Sequence, residues 1–117
     1  MTTYTIDLGE WHVFDPSHQQ ADKWQALKVL EEAAEVVDAA KHAIECNALQ
    51  TSQVAQARQK LTNEIADLLQ TTANLCDAYG ITETDLIVAQ VNCNRKNLER
   101  GMFEPGERTR MHRESDL

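Results

Sequence analysis

The sequence predicts an all-α protein whose long antiparallel helices form a bundle completed by dimerisation. Three observations carry that expectation. Across 117 residues there are only four Gly and two Pro, which leaves long runs free of helix breakers. Apolar residues recur at spacings of three and four rather than two. The stop signals that do occur, around residues 15–17, 47–52, 80 and 101, cut the chain into three segments of helical length. Three helices with long apolar stripes leave much apolar surface on one chain, and a second copy is the expected cover.

Residues 1–16 read as an N-terminal arm. Tyr4, Ile6 and Leu8 alternate as a strand does, whereas Leu8, Trp11 and Phe14 share one side of a short helix, and the pattern leaves both open. Trp11 and Phe14 carry large apolar area and are expected to close one end of the core. Asp15-Pro16-Ser17 is a turn and helix start with Ser17 as N-cap.

From His18 to about Cys46 the pattern is helical without interruption. Leu27, Leu30, Ala34, Val37 and Ile44 form the expected core stripe. On a helical wheel Glu31, Glu35, Asp38 and His42 lie beside that stripe, and Lys28 and Glu32 lie farther round. Residues 47–52 are a short polar connection, with Thr51 or Ser52 as the next N-cap. The second helix, about Gln53 to Tyr79, turns Val54, Leu61, Ile65, Leu68, Leu75 and Tyr79 inward and holds Glu64 and Asp67 at the edge of that face. Gly80 before Ile81 suits a left-handed helix stop.

Thr82-Glu83-Thr84-Asp85 is a capping-box variant that opens a third helix. Leu86, Ile87, Val91 and Leu98 are expected to point inward. Asn92, Lys96 and Arg100 stack on another side at i, i+4 and i+8. Gly101 ends the helix and Pro105-Gly106 prevents a restart. The helical domain therefore spans residues 17–103, and the charged residues 104–117 read as a mobile tail.

A formal charge of −8 argues against a nucleic-acid polymer or a membrane surface as partner, because phosphate surfaces select basic faces. A small polyanion stays compatible if metal ions neutralise it. Cys46, Cys76 and Cys93 are odd in number and form no Cys-x-x-Cys, against a disulfide framework or zinc site. Reduced thiols, no signal peptide and no long apolar run point to a cytoplasmic protein.

The chemistry concentrates in the acids. Glu31, Glu32 and Glu35 crowd within five positions of one helix, and like charges at i,i+4 destabilise it. Glu64 and Asp67 repeat the i,i+3 spacing on the next. Neither group is followed by a base four residues on, apart from Lys28 ahead of Glu32. Two antiparallel helices would let Glu32, Glu35, Glu64 and Asp67 converge, and four oxygen donors favour Mg2+, with Mn2+ as substitute, over zinc. A di-iron bundle needs Glu-x-x-His pairs, and the sequence has none. The alternative is a solvated acidic face on a catalytically silent interaction or regulatory module. Asn92, Lys96 and Arg100 favour a polyphosphate site, since cations and amide donors neutralise phosphate oxygens. For Arg100 a helix C-terminal dipole partner serves as well.

The set Glu31-Glu32-x-x-Glu35 followed by Glu64-x-x-Asp67 resembles the MazG-like all-α nucleoside triphosphate pyrophosphohydrolase superfamily. The ending Asn92-x-x-x-Lys96-x-x-x-Arg100-Gly101 looks like that of many MazG-like proteins. The stretches KVLEEAAEVVDAAK and EIADLLQ are also similar to phosphoribosyl-ATP pyrophosphohydrolase, the branch kept as closest relative. The resemblance covers roughly residues 17–103. It implies a homodimer or homotetramer with Mg2+ held by Glu32, Glu35, Glu64 and Asp67. It further implies hydrolysis of a nucleoside triphosphate, or a related nucleotide, to monophosphate and pyrophosphate. Glu31 and Glu35 would then act on the attacking water, while Lys28, Asn92, Lys96 and Arg100 would bind substrate. Trp24, on the acid side of the first helix, would line a base pocket or simply pack.

Overall fold

The computed structural model describes residues 2–19, 23–46 and 51–106. Over these residues the protein is all-helical, as the sequence predicts. A 3-10 turn, Pro16–His18, precedes α1 (Trp24–Cys46), α2 (Thr51–Ala78) and α3 (Glu83–Glu99), and no strand occurs among the described residues. None of these helices is long and apolar enough to cross a membrane. The chain divides into two compact units, one of residues 8–82 and one that joins residues 1–7 to those from Glu83 onward.

The first unit is built on α1 and α2. At 23 and 28 residues they are about 35 and 42 Å long. They run antiparallel, for Cys46 shares a cavity with Gln53 and Ala57 near the turn and Glu35 meets Glu64 farther along. The shielded positions of α1 include Gln25, Val29, Glu32, Val36, Ala39, Ala43 and Cys46, and those of α2 include Val54, Ala57, Leu61, Glu64, Leu68, Thr71 and Leu75. Each set alternates steps of three and four, the spacing that keeps one seam facing a partner helix.

That seam corrects the stripe expected on α1. Leu30 and Ile44 are 66% and 71% exposed, and Leu27, Ala34 and Val37 are exposed as well. Small residues decide the matter, because Ala39, Ala43 and Ala57 let the two backbones come close where leucines would hold them apart. On α2 the expectation holds for Val54, Leu61, Leu68 and Leu75, whereas Ile65 and Tyr79 stay exposed.

The start of α1 also moves, from His18 to Trp24. Asp15, not Ser17, caps the preceding turn, its carboxylate accepting from the Ser17 backbone N–H at 3.0 Å and the Ser17 hydroxyl at 2.6 Å. These two bonds hold the Asp15 carboxyl below its usual range, the hydroxyl contributing most. Gln19 then turns extended, with φ −129° and ψ 153°, which stops the helical path. Residues 8–14 form neither strand nor helix. They are tied down by Asn74, 2% exposed, whose Oδ1 accepts from the Phe14 N–H at 2.9 Å. Gln70 Nε2 donates to the His12 carbonyl at 2.7 Å. Trp11 and Phe14 remain partly exposed rather than closing the core.

Both later helices end as their glycines predict. Gly80 (φ 69°) follows α2, with the Ile81 N–H on the Cys76 carbonyl and the Gly80 N–H on that of Asp77. Gly101 (φ 74°) repeats the pattern after α3, where the Met102 and Gly101 N–H groups bond to Asn97 and Leu98. This paired arrangement satisfies the last carbonyls of each helix.

In the second unit, Leu86, Ile87, Val91 and Leu98 are exposed on α3, against the inward orientation expected. The residues that join α3 in its unit on the N-terminal side are few, and a segment that short cannot cover a helix of 17 residues. Thr51 lies within α2 rather than capping it. Residues 47–50 of the expected connection and 107–117 of the expected tail lie outside the described residues.

Candidate active site

The heptad-like seam of α1 places Glu32 at an inward position and Glu35 nearly one turn on, at the rim. The antiparallel run of α2 brings Glu64 opposite them, 7% exposed. One carboxylate oxygen from each of Glu32, Glu35 and Glu64 lies within 4.8 Å of the other two. Oxygens around a single small divalent ion are about 3–4 Å apart at bond lengths near 2.1 Å, so modest side-chain adjustment would seat one. The expectation that Glu32 sits farther from the core than Glu31 is reversed, because the helix buries a different stripe.

One lysine answers part of this negative charge. Lys60 Nζ lies 2.6 Å from Glu64 Oε2, which holds the Glu64 carboxyl below its usual range and the Lys60 ammonium above its own. Glu35 moves the other way. The charge of Glu32, and then the contact with Glu64 and its charge, push the Glu35 carboxyl up. The remaining Glu64 oxygen, Oε1, is buried without a hydrogen-bond partner. A buried carboxylate oxygen left unpaired is costly, and a cation is the ligand that a set of three carboxylates would accept there. The donors are all oxygen, which fits a hard divalent ion.

The other predicted residues are placed as follows. Glu31 is exposed and paired with Lys28, Nζ to Oε1 2.8 Å, and is not one of the three gathered carboxylates. That bond raises the Lys28 pKa, and its Nζ stands 5.7 Å over the Trp24 ring, a cation–π distance. Asp67, one turn beyond Glu64, is exposed and outside the gathered three. Its charge adds to the upward shift of Lys60. Asn92 and Lys96 share a cavity on α3 with Arg95 and Glu99, as their spacing predicts. Arg100 follows α3 and donates from Nη1 to Asn97 Oδ1 at 3.1 Å.

Lys60 is the residue the sequence reading missed. It precedes Glu64 by four, the same relation that Lys28 has to Glu32. Beside it, Asp38 and His42 line a cavity of about 270 Å³ with Glu35, Ala39 and Glu64.

A family model described as phosphoribosyl-ATP pyrophosphohydrolase matches residues 12–94. The match takes in both acidic segments and ends before Lys96 and Arg100. No curated protein and no solved structure matches the chain. An all-α chain with carboxylates of α1 and α2 gathered at one seam, matched over well more than half its length, belongs to the phosphoribosyl-ATP pyrophosphohydrolase family, within the MazG-like nucleotide pyrophosphohydrolases.

Proposed function

We propose that this protein is a Mg2+-dependent nucleotide pyrophosphohydrolase that cleaves a nucleoside triphosphate to the monophosphate and pyrophosphate, Mn2+ serving in place of Mg2+. The observation that carries the reading is the gathering of the Glu32, Glu35 and Glu64 carboxylates at the seam, on a Glu64 side chain that has one oxygen buried without a hydrogen-bond partner. These three carboxylates, joined by Asp67 from the next turn of α2, would hold the ion. Bound Mg2+ would supply charge neutralisation at the phosphates and a more acidic water.

The chain's own residues then have distinct tasks. Glu35, at the rim of the seam with its carboxyl pushed up by the charge of Glu32, is suited to take the proton of the attacking water. Water adds to phosphorus, the bond to the leaving pyrophosphate oxygen breaks, and the water proton passes to the Glu35 carboxylate. Glu31 holds Lys28 in place, and Lys28, Asn92, Lys96 and Arg100 bind phosphate or sugar oxygens. With an ion held by the carboxylates, Lys60 would no longer be needed to neutralise Glu64 and would be free to meet a phosphate oxygen.

A second substrate, phosphoribosyl-ATP, is favoured by the family match. It presents the same anhydride bond, so the carboxylate site serves both. Pyrophosphate release across nucleoside triphosphates and phosphoribosyl-ATP decides between them. Faster turnover of a simple triphosphate supports the first reading, and turnover of phosphoribosyl-ATP alone supports the second.

The same reading includes a homodimer or homotetramer. Among the described residues no large side chain is fully buried, and Leu27, Leu30, Val37 and Ile44 are all exposed along α1. An apolar stripe of that length is the kind of surface a second copy covers. Light scattering on the purified chain checks it, with a monomer at micromolar concentration as the opposing result.

A further inference from the structure

We propose that Lys60 is a built-in competitor of the divalent ion: in the metal-free chain its ammonium occupies Glu64, and it withdraws when an ion takes hold of the carboxylates. The proposal deepens the reading of Glu32, Glu35 and Glu64 as a metal site and rests on it. Lys60 and Glu64 stand at i and i+4 on α2, with Lys60 Nζ 2.6 Å from Glu64 Oε2. One Glu64 oxygen is therefore taken by the lysine, while the other, Oε1, is buried without a hydrogen-bond partner. An ion bonded at about 2.1 Å to either oxygen would lie within about 7 Å of that ammonium. Charges of +2 and +1 at that separation repel, so each cation weakens the hold of the other on Glu64.

The asymmetry of the pair identifies the partner that moves. The Glu64 side chain is 9% exposed and that of Lys60 62%. The carboxylate is fixed in the seam, whereas the ammonium ends a flexible four-carbon stem at the surface. Room to withdraw lies beside it. Lys60 lines one cavity of about 270 Å³ with Glu35, Asp38, His42 and Glu64, and a second of about 420 Å³, toward the α1–α2 turn, with Cys46, Gln53 and Gln56. Rotation about its own side-chain bonds takes Nζ away from Glu64 without any movement of a helix. The same ammonium answers several acids of the site, since Glu64 foremost, and after it Glu35 and Asp67, hold it above its usual range. With one partner solvated, an ion pair is weak enough to be broken. Lys60 thus holds the crowded carboxylates in place without metal and sets the affinity with which metal replaces it.

Mg2+ titration calorimetry at pH 8 on the full-length chain and on Lys60→Gln, Lys60→Met and Lys60→Arg tests it, with thermal unfolding in EDTA and in saturating Mg2+ alongside. The Kd for Mg2+ should fall about fivefold in Lys60→Gln, the factor that matches an ion pair at the strong end of the solvated range. Lys60→Met, which keeps the length of the stem, should do the same, and Lys60→Arg should stay within twofold of the native chain. Both uncharged variants should melt earlier in EDTA and gain more in Tm from Mg2+ than the native chain does, as tighter binding requires. A lysine with a merely structural role would lower Tm equally in EDTA and Mg2+ and leave the Kd alone. If the native chain binds Mg2+ and the uncharged variants bind it within twofold of native or more weakly, the proposal falls and the metal site stands. If neither the native chain nor the uncharged variants bind Mg2+, the metal site falls and the proposal with it.

Discussion

Helix α1 carries two stripes with the same three-and-four spacing, and they have opposite fates. One, through Val29, Glu32, Val36, Ala39 and Ala43, meets α2, while the other, through Leu27, Leu30, Val37 and Ile44, faces outward. The outward stripe is the more hydrophobic. The face that α1 turns to α2 is therefore the one of small and β-branched residues rather than the one of leucines, and it carries acids inward with it. Glu32 and Glu64 occupy seam positions that an ordinary helix pair fills with apolar residues. A seam that spends two core positions on carboxylates and leaves leucines outside is better matched to a ligand and a second copy than to the stability of a lone chain.

The largest expected effect separates the acids of the two faces. Glu64→Gln, in the seam, should lower metal-dependent pyrophosphate release by at least about 100-fold, since loss even of groups that only support a metal ligand costs 10–100-fold. Glu31→Gln, on the exposed side, should cost clearly less in the same assay. Equal losses would show that the seam is not what singles out the metal ligands.

Packing gives the next contrast. Ala39→Leu inserts bulk where α1 and α2 approach, and should cost about 1–3 kcal/mol in urea unfolding. Leu30→Ser on the outward stripe should stay within about 0.5 kcal/mol at concentrations where the chain is monomeric, and should weaken self-association at higher ones. Asn74→Ala leaves the Phe14 N–H without its acceptor and should cost about 1–3 kcal/mol, with earlier proteolysis of the arm as a second readout.

The smallest effect concerns pH in metal-free protein. Glu35 has a raised folded-state pKa, so the folded chain binds more protons than the unfolded one just above the usual glutamate range. Stability should therefore rise as pH falls through that raised value, and Glu35→Gln should remove the rise. Glu64 has a lowered pKa, so its contribution is present above the usual range and is lost as pH falls through the lowered value. Lys60, raised, contributes at acid and neutral pH and loses its contribution as pH climbs through its elevated value. Urea midpoints measured in EDTA across this span should pass through a maximum on the acid side of neutrality.

Much of this was legible in the chain itself. Helix class, the stops at Gly80 and Gly101, the inward leucines of α2 and the two acidic segments all follow from local rules of spacing and backbone conformation. What was not legible is relational. Two stripes of equal period on α1 cannot be ranked without knowing where alanines of the partner helix fall, and Leu30 outranks Ala39 on hydrophobicity alone. Lys60 is hard to read from the chain because a base four residues before an acid is the weaker helical pairing, and only the burial of Glu64 makes it a close ion pair. The Asp15 cap displaces Ser17 because the Ser17 N–H and hydroxyl are themselves the donors that the Asp15 carboxylate takes up, and bonds to a charged acceptor are the stronger ones.

The claim at the centre of this account is that the α1–α2 seam gathers its carboxylates for a divalent ion. Mg2+ titration calorimetry on the native chain and on Glu35→Gln/Glu64→Gln, with thermal unfolding alongside, tests it most directly. The account predicts saturable binding and a higher Tm with Mg2+ for the native chain, both absent in the double variant. No binding by the native chain, together with a double variant that is merely more stable, would contradict it, because that is how crowded carboxylates behave when nothing is meant to lie between them.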